Sequence, residues 1–314
     1  MATTNLATQT RKAPMSVYLT GDAVKNHINS ILGSKRGTRF ITSVVSMVNA
    51  NPTLKECTNE SILSAALQGE SLNLSCNQNL GQWYPVPYNN KKKGCKEAQF
   101  QMGYKGYVQL ALRSGQYKDI DVMEIREGEY KGRDRQTGKP KFEFIEDDEE
   151  RESKPIIGYM AYFEYLNGFS KVLYWTKEKM MRHADRYSQA FSLNATQGRY
   201  PKVSYADYLA GKYNEKDAWL YSSYWYTDFD GMAFKTMLRQ LISKWGMMSE
   251  EMQSAFESDM AVIGADGTID YVDNTEEVVE IEPEVKDPFP NEKEAEAVEE
   301  SGQQELDLKE DKKE

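Results

Sequence analysis

Histidine is almost absent: His27 and His183 are the only two in 314 residues. Neither stands with a cysteine or second histidine at zinc-ligand spacing, and so few imidazoles leave a Ser–His triad without support. Cysteine is scarce too. Cys57, Cys76 and Cys95 form no C-x-x-C pair, and reduced thiols are the simplest reading of an odd number. No apolar run approaches the roughly 18 residues of a membrane span, and MATTNLATQTRKAP has no apolar core for a signal peptide. These absences predict a soluble, cytoplasmic protein.

A net charge of −10 on its face argues against a polyanionic partner, but the charge is segregated. From Glu257 to the end, 21 acidic residues accompany 5 basic ones. Out of totals of 49 and 39, that leaves 28 acidic and 34 basic residues in 1–256. The body is therefore basic, at +6, and the tail is a separate acidic segment at −16. Its Glu, Asp, Val and Pro composition, nearly free of aromatics, predicts disorder.

The most informative stretch runs from Trp83 to Arg126. Trp83 to Tyr88 and Gln99 to Met102 read as the arms of a β-hairpin, with Lys91, Lys92, Lys93 and Lys96 crowding a turn that Gly94 makes flexible. Tyr104-Lys105-Gly106-Tyr107 opens a helix with Tyr104, Tyr107, Val108 and Ala111 on one side. Lys105, Gln109 and Arg113 lie on another, and Gly115 is the natural stop. Cations interleaved with aromatic rings suit nucleic acid; a solvated lysine turn on an ordinary hairpin is the alternative.

In chain order, residues 1–14 read as disordered, and helical patterns cover about 15–32, 36–50 and a segment capped by Thr58 or Asn59. Ile120 to Glu127 and Phe142 to Ile145 are strand-like. Ile156 to Leu166 and Phe169 to Trp175 flank Asn167-Gly168, a strong hairpin signal for a type I′ turn. Thr176 caps a helix with a basic stripe of Lys179, Arg182 and Arg186. Residues 188–218 read as a loop-rich connection. Trp225 to Trp245 is the last helix, with Lys235 and Arg239 one step round from its apolar stripe, stems on the core and heads outward.

Two decoys fall away. Gly132 to Lys139 imitates a phosphate loop but has one residue too many and Pro140 where a hydroxyl should ligate Mg²⁺. Asp121 with Glu129-Tyr130-Lys131 loosely imitates a metal-nuclease set, but in a turn. Glu146 to Glu150 reads as a solvated acidic loop, and His183 as a surface or capping residue.

Four segments, in order, resemble the RecT family of phage-type single-strand annealing recombinases: SILSAALQGESLNL (61–74), Tyr84-Pro-Val-Pro-Tyr88 with its lysine turn, Gln101-Met-Gly-Tyr-Lys-Gly106 with Leu110-Ala-Leu-Arg-Ser-Gly115, and Trp225 with Met232-Ala-Phe-Lys-Thr-Met-Leu-Arg239-Gln-Leu241. The resemblance covers about residues 15–260. It implies an ATP-independent, non-enzymatic, cofactor-free DNA-binding protein that anneals complementary single strands in homologous recombination as a ring or helical homo-oligomer. The implied partners are single-stranded DNA, the annealed duplex intermediate, further copies of the chain, a phage exonuclease and a host single-stranded DNA-binding protein, with no membrane. Alternatives are a metal-dependent nuclease and a plain single-stranded DNA-binding protein. The expected DNA contacts are Lys91, Lys92, Lys93, Lys96, Tyr104, Lys105, Arg113, Arg126, Lys179, Arg182, Arg186, Lys235 and Arg239; Lys235 and Arg239 could instead pair with a neighbouring subunit's carboxylates.

The expected fold is α+β: N-terminal helices, an antiparallel sheet of about five strands with helices from 176 and 230 on one face, and a disordered acidic C-terminal tail. The segments are a disordered N-terminus (1–14), a DNA-binding and annealing domain (15–260) and the tail (261–314). A tethered polyanion competes in cis with DNA for a basic groove; a solubilising tail does not. Deleting residues from about 262 onward separates the two. Competition gives tighter single-strand binding by the truncated protein at low salt, converging with full length as screening grows. Equal affinity at every salt concentration leaves the solubilising role.

Overall fold

A computed structural model of the chain describes residues 12–90, 93–264 and 269–270. Apolar residues at helical spacing build α1 (Met15–Thr20), α2 (Asp22–Leu32) and α3 (Ser34–Ala50), which bury Leu19, Ile28 and Val44. The helix expected over 15–32 is broken where Gly21 turns extended (φ −60°, ψ 136°). Residues 12–14, expected to be disordered, are tied down: Lys12 Nζ donates to the Cys57 carbonyl, and Asn59 Nδ2 donates to Ala13 O at 3.0 Å. Thr58 caps α4 (Asn59–Ser71), its hydroxyl accepting from Ser61 N.

β1 (Trp83–Asn90) and β2 (Cys95–Met102) form the expected hairpin, in register from Trp83↔Met102 to Asn90↔Cys95. Trp83 stacks on Phe100 at 5.2 Å and packs on α4 at Gly69, where a Cβ would fall 2.5 Å from the indole. α5 (Tyr104–Arg113) follows, then β3 (Tyr117–Arg126), the short pair β4 (Tyr130–Arg133) and β5 (Pro140–Phe142), α6 (Asp148–Ser153), β6 (Ile156–Tyr165), β7 (Ser170–Thr176) and α7 (Lys177–Tyr187). The 188–218 connection contains α8 (Tyr205–Leu209). α9 (Tyr224–Thr227), α10 (Phe229–Trp245), α11 (Glu250–Ser258), β8 (Val262–Ile263) and β9 (Ile269–Asp270) complete the described chain.

The fold is α+β with antiparallel strands, but the strands divide: β3-β6-β7 make one sheet, and β1-β2 stand apart. Phe100 on β2 pairs with Ala261, and Lys96 pairs with Cys57, so the outer edge of β2 is already taken and β3 pairs with β6. In the three-stranded sheet, Val122, Tyr159, Ala161, Phe163 and Trp175 alternate onto the face that α7 and α10 cover. On the other face the β4–β5 pair covers one end, with Tyr130 stacked 4.5 Å from Tyr174.

Three local expectations change. The β6–β7 turn is a three-residue loop in which only Gly168 takes left-handed backbone (φ 83°), with Tyr165 N donating to Phe169 O at 2.8 Å. One extra residue removes the type I′ demand for two positive φ angles. Residue Asp228 interrupts the last helix and caps α10 by accepting from Gly231 N. The domain also runs past 260, because Ala261, Val262 and Ile263 are buried against α4 and β2.

The central constraint is Asp259, a fully buried carboxylate between α11 and β8. Its Oδ1 accepts from Lys235 Nζ at 2.8 Å and Met102 N at 2.9 Å. Oδ2 accepts from Tyr107 Oη at 2.9 Å and from Arg239. Burial pushes the Asp259 carboxyl up, but Lys235 and Arg239 outweigh it and hold the group below its ordinary value. A depressed folded pKa means that this contribution is complete above about pH 3.9 and is lost as pH falls through the folded value. Asp259→Asn should therefore cost about 3–5 kcal/mol at neutral pH by leaving two cations uncompensated. The variant should also flatten the acid limb of the stability–pH curve. Denaturant unfolding at pH 7 and between pH 4 and 2 measures both; a loss under about 1 kcal/mol would contradict the assignment.

Candidate nucleic-acid interface

The start of α5 is pressed against the segment before β1. A Cβ at Gly103 would fall 2.1 Å from Gly81 O, and one at Gly106 would fall 2.1 Å from Gln82 O, so both positions require glycine. Between them, Tyr104 lines an open cleft and exposed Lys105 follows it in the chain. Its walls come from Tyr84 on β1, Gln101 and Tyr104 around the start of α5, and Tyr224, Asp228 and Met232 from α9 and α10. The segments that carry the sequence resemblance at 84–88, 101–115 and 225–241 thus converge on one place.

Tyr84 and Tyr224 lie 5.8 Å apart, and Tyr104 meets Phe234 edge-on at 5.5 Å. Burial, then Tyr224 and Asp228, push the Tyr84 phenol above its ordinary value, so that ring is neutral at physiological pH. Lys105 Nζ, exposed, sits 5.9 Å from the Tyr104 ring centre. Neutral rings beside a cation form a surface that can take a base face and a phosphate together.

The expected contact residues do not form one surface. Lys235 lines the cleft floor, but its head faces inward to Asp259 and the residue is only 5 % exposed, which corrects the outward orientation expected for it. α10 places position 235 toward α11, where a buried carboxylate offsets the desolvation of the ammonium. Arg239 likewise turns onto Asp259 and Tyr107. Arg113 donates to Leu72 O at 2.9 Å, and Arg126 to Glu152 O and Lys154 O, so both guanidinium groups hold loops in place.

On the hairpin, Lys93 meets the buried Glu97 carboxylate at 2.8 Å and Lys96 pairs with Glu56; Lys91 and Lys92 lie outside the described residues. Lys179 rests 4.2 Å over Trp175, Arg182 pairs with Glu178 at 2.6 Å, and Arg186 lies 5.5 Å from the Tyr187 ring. Burial, with Lys244 and Arg133 in reach, lowers the Lys179 ammonium. His183 is neither a surface nor a capping residue: it sits between Trp175 and Tyr187, and burial pulls it down to about 4.

The decoys resolve physically. Gly132 to Lys139 spans the end of β4 and the β4–β5 turn, where Asp134 accepts from Gln136 N and Thr137 N. The Glu129 carboxylate is taken up by Arg151 Nε at 2.6 Å and Arg126 N at 2.7 Å. Among the described residues no cluster of three His, Cys, Asp or Glu is placed to hold a metal ion, and no helix is long and apolar enough to cross a membrane. Sequence reasoning missed Tyr84, Gln101, Tyr224, Asp228 and Asp259. For the first four, the available signal was their place in or beside the segments of resemblance.

Fold and site together define an α+β protein with an open tyrosine-walled cleft beside an exposed lysine. The chain belongs to the RecT family: the family model matches residues 38–278. It is 37% identical over 289 residues to the uncharacterized protein YqaK of Bacillus subtilis (strain 168), covering 90% of this chain and 84% of that one. It is 26% identical over 256 residues to Protein RecT of Escherichia coli (strain K12), covering 76% and 80%. Membership places the chain among the DNA-binding, single-strand annealing proteins of phage-type recombination.

The two lysines nearest the cleft should behave differently. Lys105→Ala should lower the salt slope of single-strand binding by about 0.7, one lost phosphate contact, with melting unchanged. Lys235→Ala should lower the melting temperature, since it strips Asp259 of a partner. Salt titrations and thermal scans of both variants check the division, and an unchanged slope for Lys105→Ala would remove it from the interface.

Proposed function

We infer that the protein binds single-stranded DNA and accelerates pairing of complementary strands without nucleotide, metal catalysis or any bond chemistry. The observation that carries this reading is the convergence of three family-like segments on one open cleft, where exposed Lys105 stands beside neutral rings. Annealing needs phosphate repulsion reduced and bases left free to pair. Lysines supply the first in a salt-dependent way. An open cleft, with one tyrosine edge-on to its neighbour, supports the backbone without burying a whole stack of bases. The nuclease alternative has no support here, because its Glu129 is bonded to Arg151 and backbone N–H groups.

On this reading the working state is an oligomer on DNA, its cytoplasmic partners are an exonuclease that exposes single strands and a host single-strand-binding protein, and the product is annealed duplex. The test is a stopped-flow assay with complementary fluorophore- and quencher-labelled oligonucleotides. The protein should raise the pairing rate well above the spontaneous one, equally with EDTA present and ATP absent. Slower pairing than in free solution would instead identify a plain single-strand-binding protein, and loss of activity in EDTA would restore a metal-dependent one.

A further inference from the structure

Two exposed surfaces at opposite ends of the three-stranded sheet are complementary, and neither is used by the cleft. The first gathers around Tyr165, at the end of β6. Leu166 (70 % exposed), Phe169 (48 %), Trp245 and Met247 are exposed there. They are contiguous: Phe169 stacks 5.9 Å from Tyr165, whose hydroxyl bonds Trp245 O and Met247 N. The rim is basic. Lys171 Nζ lies 4.7 Å over Trp245 and exposed Lys244 precedes it, with no ion pair for either among the described residues. An exposed apolar cluster of this kind marks an interaction site.

The second surface is the acidic knob ahead of β6. Phe144, 44 % exposed and stacked 6.1 Å from Phe142, lies two to five residues ahead of Glu146, Asp148 and Glu149, none of which forms an ion pair among the described residues. The knob is held rigidly. Arg151 of α6 donates to Glu129 at 2.6 Å, to Glu124 Oε1 at 3.0 Å and to Glu124 O at 2.9 Å, fixing the helix to the sheet end. The ten residues of β6 run from the helix that carries the knob to the patch.

We propose that the knob of one protomer, with Phe144 inserted and Glu146, Asp148 and Glu149 facing Lys171 and Lys244, docks on the apolar patch of the next copy of this chain. The occupant is a second copy because the chain itself carries both complements, an aromatic anchor within an acidic cluster and an apolar patch with a basic rim. Complementary patches at opposite ends make a heterologous contact, which propagates into a ring or a helix. This rests on the oligomeric reading above and assigns its interface.

Charge exchange tests the pairing directly. One variant carries Glu146→Lys, Asp148→Lys and Glu149→Lys; the other carries Lys171→Glu and Lys244→Glu. All five sites are away from the cleft, and circular dichroism and melting check each fold. Assembly on single-stranded DNA is followed by mass photometry. Each variant alone should need at least tenfold more protein for half-assembly, and their equimolar mixture should recover wild-type assemblies, since each reversed surface then meets its opposite. Wild-type assembly by both variants alone, or a mixture no better than its parts, overturns the interface. A wild-type chain that binds DNA but stays monomeric overturns the oligomeric reading itself, and the interface with it.

Discussion

Asp259 joins parts of the chain that are far apart in sequence, and the rest of the molecule is arranged round it. A carboxylate without water is tolerable only when its oxygens are filled, and here an ammonium, a guanidinium, a phenol and a backbone amide fill them. Those donors come from α10, α5 and the end of β2. The carboxylate therefore sets where the hairpin ends, where α5 begins and how α10 crosses them. A leucine in its place would supply apolar packing without specifying which helix lies where; four directional bonds specify it.

That arrangement places the cleft. Gly103 and Gly106 let α5 close on Gly81 and Gln82, while Asp259 draws α10 onto the same corner. The tyrosines of β1, α5 and α9 then face one another across a gap none of the segments could form alone. The chemistry left at its surface is modest: three phenols, an amide and the Asp228 carboxylate, with Lys105 beside it. It suits a task in which strands are held and released and no bond is broken.

Charge is used at three depths. Buried Lys235 and half-buried Arg239 and Arg151 are structural, each facing carboxylates of its own chain. Hairpin Lys93 and Lys96 are paired at the surface. Lys105 on the cleft, and Lys171 and Lys244 on the patch, have no carboxylate within ion-pair distance among the described residues. Composition counts all of these alike, which is why a basic body does not by itself reveal a binding face.

The helices, the hairpins, the caps at Thr58 and Thr176 and the α+β class were legible from sequence alone, because period, turn chemistry and capping hydroxyls act between residues close in the chain. The four family-like segments were legible too. What only the tertiary structure decided is which cations are spent inside. Lys235 and Lys105 have the same side chain on the edges of two amphipathic helices. One is buried because residue 259, 24 positions on, returns a carboxylate to it, and the other is exposed because nothing does. The division of the strands into separate sheets has the same origin, since Ala261 takes the edge of β2 across more than half the chain. Local pattern determines what each segment is; long-range pairing determines which way its charged atoms face.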